Sequence, residues 1–424
     1  MTLHDALQRV SDAHPDLRLI DASAGVLDAA RDSAALGPAT TLDATLENLA
    51  GSGEARGLHG AELTLGIASI FERGGKREAR IALADSRRDA LATERDARRL
   101  DLLADVARRY LDAAAARWRG DVAQQDARQR SNARDAARKR FTAGAAPESA
   151  ALSAEAALAR AELAQARARL GERHAFAYLA ALWGRQNEGS ETPAAEEPAT
   201  LPELEPLDAL LVRLEQNPEL AKLADARRIA DARLRLAETD SRADVSWQVG
   251  VRRLQASRDM ALVAGLSVPL GHARRAAPSI REATLERDAL GIERESIALA
   301  LRITLLEAAG RYELAREEVR RLDADVLPRL HTAAAAAERA YRAGAGGYLE
   351  WAQLQSEAID ARFQRVDAAT AGLTALIEIQ RLIRRPSAGW DPCCFPDSKI
   401  KMDPSLRWGD GEEVPDQAAI GDTP

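Results

Sequence analysis

Apolar positions along this chain switch between two periods, and the switches recur at matching places in its two halves. Residues 3–36 follow a helical period in two pieces divided at His14-Pro15, because proline starts a helix but cannot continue one. Gly37-Pro38 ends the second piece. The period then drops to two: Leu42, Ala44 and Leu46 fall on one face, Asp43, Thr45 and Glu47 on the other. A Gly-rich polar stretch at 48–60 turns the chain, and the return strand sets Leu63, Leu65 and Ile67 against Glu62, Thr64, Gly66 and Ala68. The pattern predicts a two-stranded hairpin over about 40–71, closed by Gly74-Gly75.

A long helical stretch comes next at about 76–141, free of proline and of turn clusters. At about 1.5 Å per residue it forms a rod of roughly 100 Å, against a usual helix of about 11–12 residues. Leu100, Leu103, Ala107, Tyr110, Leu111 and Ala114 recur at spacings of three and four, marking one buried stripe. A turn at 142–147 leads to a return helix at about 148–183.

The second half runs through the same plan: short helices at 207–216 and 218–239, then a hairpin over about 244–270. There Val245, Trp247, Val249 and Val251 alternate with polar or small residues, and so do Met260, Leu262, Ala264, Leu266 and Val268. A second rod at about 273–342 has Pro278 in its first turns and Pro328 as an expected bend. A turn at 344–347 and a return helix at about 348–384 complete it. His14-Pro15-Asp16-Leu17 is echoed by Asn217-Pro218-Glu219-Leu220, an offset of 217 − 14 = 203, and the turn after Phe141 (Gly144) by that after Tyr341 (Gly344). This duplication divides the chain into a first structural repeat (1–185), a Pro/Glu/Ala linker (186–203), a second repeat (204–384) and an aperiodic tail (385–424) that reads as disordered.

Composition narrows the function. Charged residues reach 29% and aromatics only 4%, which suits long helices packed through small side chains. The net charge of −7 is spread among interleaved Arg, Asp and Glu, with no basic patch of the kind nucleic acid requires. No stretch of about 18 apolar residues offers a transmembrane helix. Two adjacent cysteines, Cys393 and Cys394, supply neither a disulfide framework nor a metal-ligand spacing. The six histidines are scattered, and no nucleophile elbow, phosphate loop or metal-ligand pair occurs, so neither a catalytic residue nor a cofactor is expected. Four strands cannot close a barrel; three copies would supply twelve, and ten-residue alternating strands are long enough to cross a bilayer.

In the order and duplication of its motifs, over residues 3–384, the chain resembles the TolC-type outer-membrane efflux proteins, and within them the heavy-metal cation efflux (CzcC-like) branch. Besides the two motifs above, the residues that carry the resemblance are Leu46-Glu47-Asn48-Leu49 with Gly51-Ser52-Gly53-Glu54, Glu72-Arg73-Gly74-Gly75-Lys76-Arg77 and Leu266-Ser267-Val268-Pro269-Leu270. Ile70 stands where the family usually has proline before the first rod. The resemblance implies a mainly α fold with a transmembrane β-barrel portion. A homotrimer would form a twelve-stranded barrel in the outer membrane, continued as an α-helical tunnel through the periplasm. It implies a passive exit duct in a tripartite efflux system, working with a periplasmic adaptor (membrane fusion) protein and an inner-membrane resistance-nodulation-division type pump. Met1 leads directly into an amphipathic helix without a signal-peptide pattern, so an exported protein is expected to start further upstream.

Gly144 and Gly344 are expected to take positive φ at the tunnel tip and to shape the adaptor docking surface. Arg138, Arg140, Arg342 and Gln355 flank those turns and either line a constriction or gating ion pair, or, as is common on an Arg-rich chain, form solvated surface. Trp247 suits a lipid-facing or interfacial anchor, while Trp118, Trp183 and Trp351 suit packing between helices. Two readings compete with the channel. A cytoplasmic long-helix coiled-coil scaffold would need sustained heptads and no matched hairpins. A periplasmic adaptor would carry one helical hairpin rather than two.

Overall fold

The computed structural model describes residues 1–48, 51–53, 56–183 and 194–383. Leu49 and Glu54 of the quoted motifs, much of the linker and the tail with Cys393 and Cys394 lie outside the described residues.

Two short helices, α1 (Leu3–Ala13) and α2 (Pro15–Ala35), precede strands β1 (Thr41–Glu47) and β2 (Glu62–Phe71). The rod α3 (Lys76–Thr142) and its return α4 (Glu148–Ala181) come after them. The same order recurs as α5 (Leu207–Leu214), α6 (Pro218–Thr239), β3 (Val245–Leu254), β4 (Met260–Ser267), α7 (His272–Arg321), α8 (Leu327–Ala343) and α9 (Tyr348–Ile383). The paired motifs are matching caps. His14 Nδ1 accepts from the Asp16 amide at 3.2 Å, and Asn217 Oδ1 accepts from the Glu219 amide at 2.8 Å, each with proline at the first helical position. Leu17 and Leu220 are then buried on the first turn.

The second rod runs unbroken from 272 to 343 but changes pitch on the way. Between α7 and α8, Leu322–Val326 form a π-turn, in which the Leu327 amide donates to the Leu322 carbonyl. Pro328, on the first turn of α8, has no N–H to carry a regular ladder across this point, so the expected bend is a change of helical pitch. The first strand is also shorter than its pattern suggested, seven residues, because Asn48 takes φ 55° and leaves the ladder. Helix α5 stops at Leu214, short of the expected 216.

Four strands make one antiparallel sheet in the order β1-β2-β3-β4, so the hairpins of the two halves join along β2 and β3. Register aligns the apolar positions into rows: Leu42, Ile67, Val249, Ala264; then Ala44, Leu65, Val251, Leu262. The helices form a layer in the order α2, α3, α6, α7 on the sheet side. Beyond the waist the order is α4, α3, α9, then α7 and α8. Helix α3 runs through both layers. At the waist it is enclosed on nearly all sides: Ala104, Val106, Ala107, Tyr110, Leu111, Ala113, Ala114 and Ala115 are all buried, against Leu3 and Val10 of α1, Leu305 and Tyr312 of α7 and Leu373 of α9. Alanine permits this close approach, and each fully buried large apolar side chain there contributes about 1.5–3 kcal/mol.

Candidate functional site

The sheet is turned inside out relative to a water-soluble one. Its apolar face is uncovered, with Leu42 80%, Leu262 77% and Leu266 72% exposed. Trp247 lies on this face, paired with Ser69 and Leu266. The opposite face carries a polar network near one end. Arg252 donates to Thr64 Oγ1 (2.9 Å) and Glu62 Oε2 (2.9 Å) and pairs with Glu47 (3.1 Å), while Asn48 Nδ2 donates to Glu62 (3.0 Å). Small residues line the middle of that face. Gly66 and Gly250 are direct partners, and a Cβ at Gly250 would stand 2.7 Å from the Leu65 carbonyl oxygen. β1 and β4 each leave one edge without a partner in the sheet, an arrangement that lipid does not tolerate unless the edges are closed.

Where sheet meets rods, ion pairs tie the two halves. Lys76 Nζ is 2.8 Å from Asp244 Oδ2 and 3.8 Å from Asp240, and the Arg73 amide donates to Asp244 Oδ1 at 3.0 Å. Burial pushes the Asp244 carboxyl up, but the hydrogen bonds from Lys76 and the Arg73 amide outweigh it and hold the group below its ordinary value. Arg80 grips Glu72 with both terminal nitrogens (2.5 and 2.9 Å) and donates to the Leu36 carbonyl at 3.2 Å, and the hydrogen bond from Arg80 draws Glu72 down.

At the opposite end both rods finish in the same way. The Gly144 and Gly344 amides donate to the Phe141 and Tyr341 carbonyls, and those of Ala145 and Ala345 to the Arg140 and Ala340 carbonyls, with φ 68° and 84° at the two glycines. These are Schellman caps, which need the left-handed conformation that glycine adopts without strain. Arg140 joins the two turns. It donates to the Tyr341 carbonyl and to the Ala145 carbonyl (3.0 Å), and its guanidinium lies 4.8 Å from the Tyr341 ring centroid. Arg342 is instead paired with Glu338 on its own helix at 2.6 Å, and Arg138 is exposed. Gln355 corrects the expectation of solvated or lumen-lining surface: it is buried, 9% exposed, with Oε1 lacking a hydrogen-bond partner.

Sequence reasoning missed the packed aromatic trio Tyr341, Tyr348 and Trp351, with ring centroids 5.3 to 6.3 Å apart, and the buried Arg130. Arg130 pairs with Asp126 (3.1 Å) and reaches α9 at Ser356 Oγ (2.8 Å) and the Ala352 carbonyl (3.3 Å). Among many arginines, no sequence signal separates it from its solvated neighbours. Trp118 and Trp351 are buried between helices, and Trp183 packs on the waist core under Arg9. Among the described residues, no group of three His, Cys, Asp or Glu side chains is placed to hold a metal ion, and no helix is long and apolar enough to cross a membrane.

Residues 7–185 match the family model for outer membrane efflux proteins. Among solved structures, the fold is similar to that of a membrane protein from Pseudomonas aeruginosa (TM-score 0.74, 18% identity, 90% of each chain covered). It is similar also to the outer-membrane channel OprN (TM-score 0.75, 19% identity, 90% of this chain and 89% of that one). CusC, studied for the conformational changes accompanying folding and transmembrane channel formation, gives TM-score 0.74 at 15% identity, covering 90% and 91% of the two chains. At such identities the likeness is one of fold. No curated protein matches the chain. Residues 7–185 thus match a family whose members are channels and not enzymes, and nine-tenths of the chain shares the fold of solved outer-membrane channels.

Proposed function

We propose that three copies of this chain close into a ring that forms a passive exit duct across the outer membrane and into the periplasm. One observation carries the reading: the sheet exposes its apolar face and has two free edges, while the helix layer ends in two uncovered flanks on the same sides. On one flank, α7 presents Leu285, Ile292, Leu299 and Leu306 at intervals of seven, with Ile292 72% exposed. On the other, α2 presents Leu19 and Val26, and α4 presents Leu163, Leu170 and Tyr178. Intervals of seven make one continuous seam on a helix that supercoils around a partner. The two flanks differ, so the contact between copies is head to tail, and such a contact closes into a ring when the rotation from copy to copy completes a full turn. Three copies of four strands give twelve, with the apolar face toward lipid and the Arg252 network toward water.

In this arrangement the Gly144 and Gly344 turns form the periplasmic tip, where an adaptor protein of an inner-membrane pump docks. Arg138, Arg140 and Arg342 lie around that opening, and Trp247 faces lipid. The cargo we assign, heavy-metal cations, rests on the sequence resemblance to that branch. A cytoplasmic scaffold has no use for a sheet with an uncovered apolar face. The test is single-channel recording with the purified protein in a planar lipid bilayer. Discrete, long-lived conductance steps are expected; folded, membrane-inserted protein that passes no current would overturn the reading.

A further inference from the structure

The segment between the two halves, residues 194–206, has no regular structure, yet it is fastened across the waist at short intervals. Trp118 Nε1 donates to the Ala195 carbonyl at 3.1 Å and the Tyr312 hydroxyl to the Pro202 carbonyl at 2.7 Å. Leu201 fills a notch at Gly372, where a Cβ would stand 2.5 Å from Leu201 Cδ1. Between these points lies Arg365 of α9, its side chain 10% exposed. Its Nε and Nη2 donate to the two carboxylate oxygens of Asp323 (2.9 and 3.1 Å), Nη2 also to the carbonyls of Pro198 (2.6 Å) and Ala199 (3.3 Å), and Nη1 to Glu197.

Asp323 belongs to the π-turn. A π-turn holds one residue more than the α-helical ladder, so it rotates the helix beyond it by about 100°, the angle of one helical residue. Here it sets the orientation of α8 and the Gly344 turn relative to α7. Two anionic side chains and two carbonyls thus share one guanidinium, which joins the strap, the π-turn and α9. A buried guanidinium that loses one carboxylate becomes an undercompensated charge, so the remaining partners are drawn to readjust.

We propose that Arg365 is a latch at the waist that makes the strap and the π-turn loosen together, so that the seating of the strap controls the orientation of α8 and its tip. The coupling rests on contacts within one chain and is tested without any transport readout. The strap is read by the maleimide labelling rate of Leu201→Cys in full-length protein carrying Cys393→Ser and Cys394→Ser. The π-turn is read by amide hydrogen exchange over 322–330. Asp323→Asn, which acts on the guanidinium that also holds the strap, is expected to speed labelling of the strap thiol about tenfold. Glu197→Gln is expected to speed exchange in the π-turn by a similar factor, because coupling between sites is reciprocal. Arg365→Lys, which keeps the charge and loses the fork, is expected to raise both. Loosening confined to the element that carries each substitution would overturn the proposal. Both isosteric changes keep the side-chain volume, so the test does not depend on Arg365→Lys folding.

Discussion

A few charged side chains among many decide how the ends of this molecule are held. Asp244 receives Lys76 and the Arg73 amide, and Glu72 receives Arg80, so both carboxyls are depressed in the folded protein. A depressed carboxyl contributes stability that is full above its unfolded value, about 4, and is lost as pH falls through the folded one. Asp244→Asn is therefore expected to cost about 1–2 kcal/mol at neutral pH, since it leaves Lys76 without its nearest partner. The difference from the parent protein should shrink once the solution is more acidic than about pH 4, as thermal unfolding at a series of pH values would show. At the other end, Arg140→Ala removes the hydrogen bond and the ring contact to Tyr341 that bind the Gly144 turn to the Gly344 turn, and with them the bond to Ala145 within its own turn. Larger single-channel conductance is expected, with secondary structure unchanged by circular dichroism; an unaltered conductance would mean that Arg140 does not restrain the opening.

Elements were legible where their cause is local. Alternation of Leu63, Leu65 and Ile67, and of Val245, Trp247, Val249 and Val251, is a property of adjacent residues, and those segments are strands β2 and β3. The paired motifs at 14–17 and 217–220 could be read because a cap is made within three residues. The π-turn could not: its Asp323 is fixed by Arg365, 42 residues further on, and Pro328 announced only that something must give. Gln355 was misjudged for a similar reason, since its burial depends on how α9 packs, which its own neighbours in sequence do not show. The exposed α7 seam was equally hidden, because leucines seven apart on a rod do not declare whether they meet this chain or another copy. Ile292→Asp is expected to leave the rod intact and abolish assembly, since a carboxylate in an apolar seam finds no partner. Light scattering of the detergent-solubilised variant would then report single copies in place of a ring.

At the scale of the whole molecule, the proposed ring completes what one chain leaves open. The same order of elements occurs twice, and β2 and β3 join the two occurrences into one sheet, but the sheet stops at β1 and β4 with both edges bare. The flanks of the helix layer stop at the same two sides. Legible in the sequence at this scale were the duplication and its resemblance to a family of channels. The join along β2 and β3 was not, since pairing between segments so far apart leaves no mark in either one. Closure of the ring is the central claim, and the most direct measurement is oxidative cross-linking between the two free edges. In protein carrying Cys393→Ser and Cys394→Ser, cysteines introduced at Ala44 in β1 and Ala264 in β4, at mid-strand, should form disulfides between neighbouring copies. Non-reducing gels are expected to show one, two and three copies and nothing larger, because the third bond closes the circle. Absence of cross-links, or a ladder continuing past three, would contradict a closed twelve-stranded barrel.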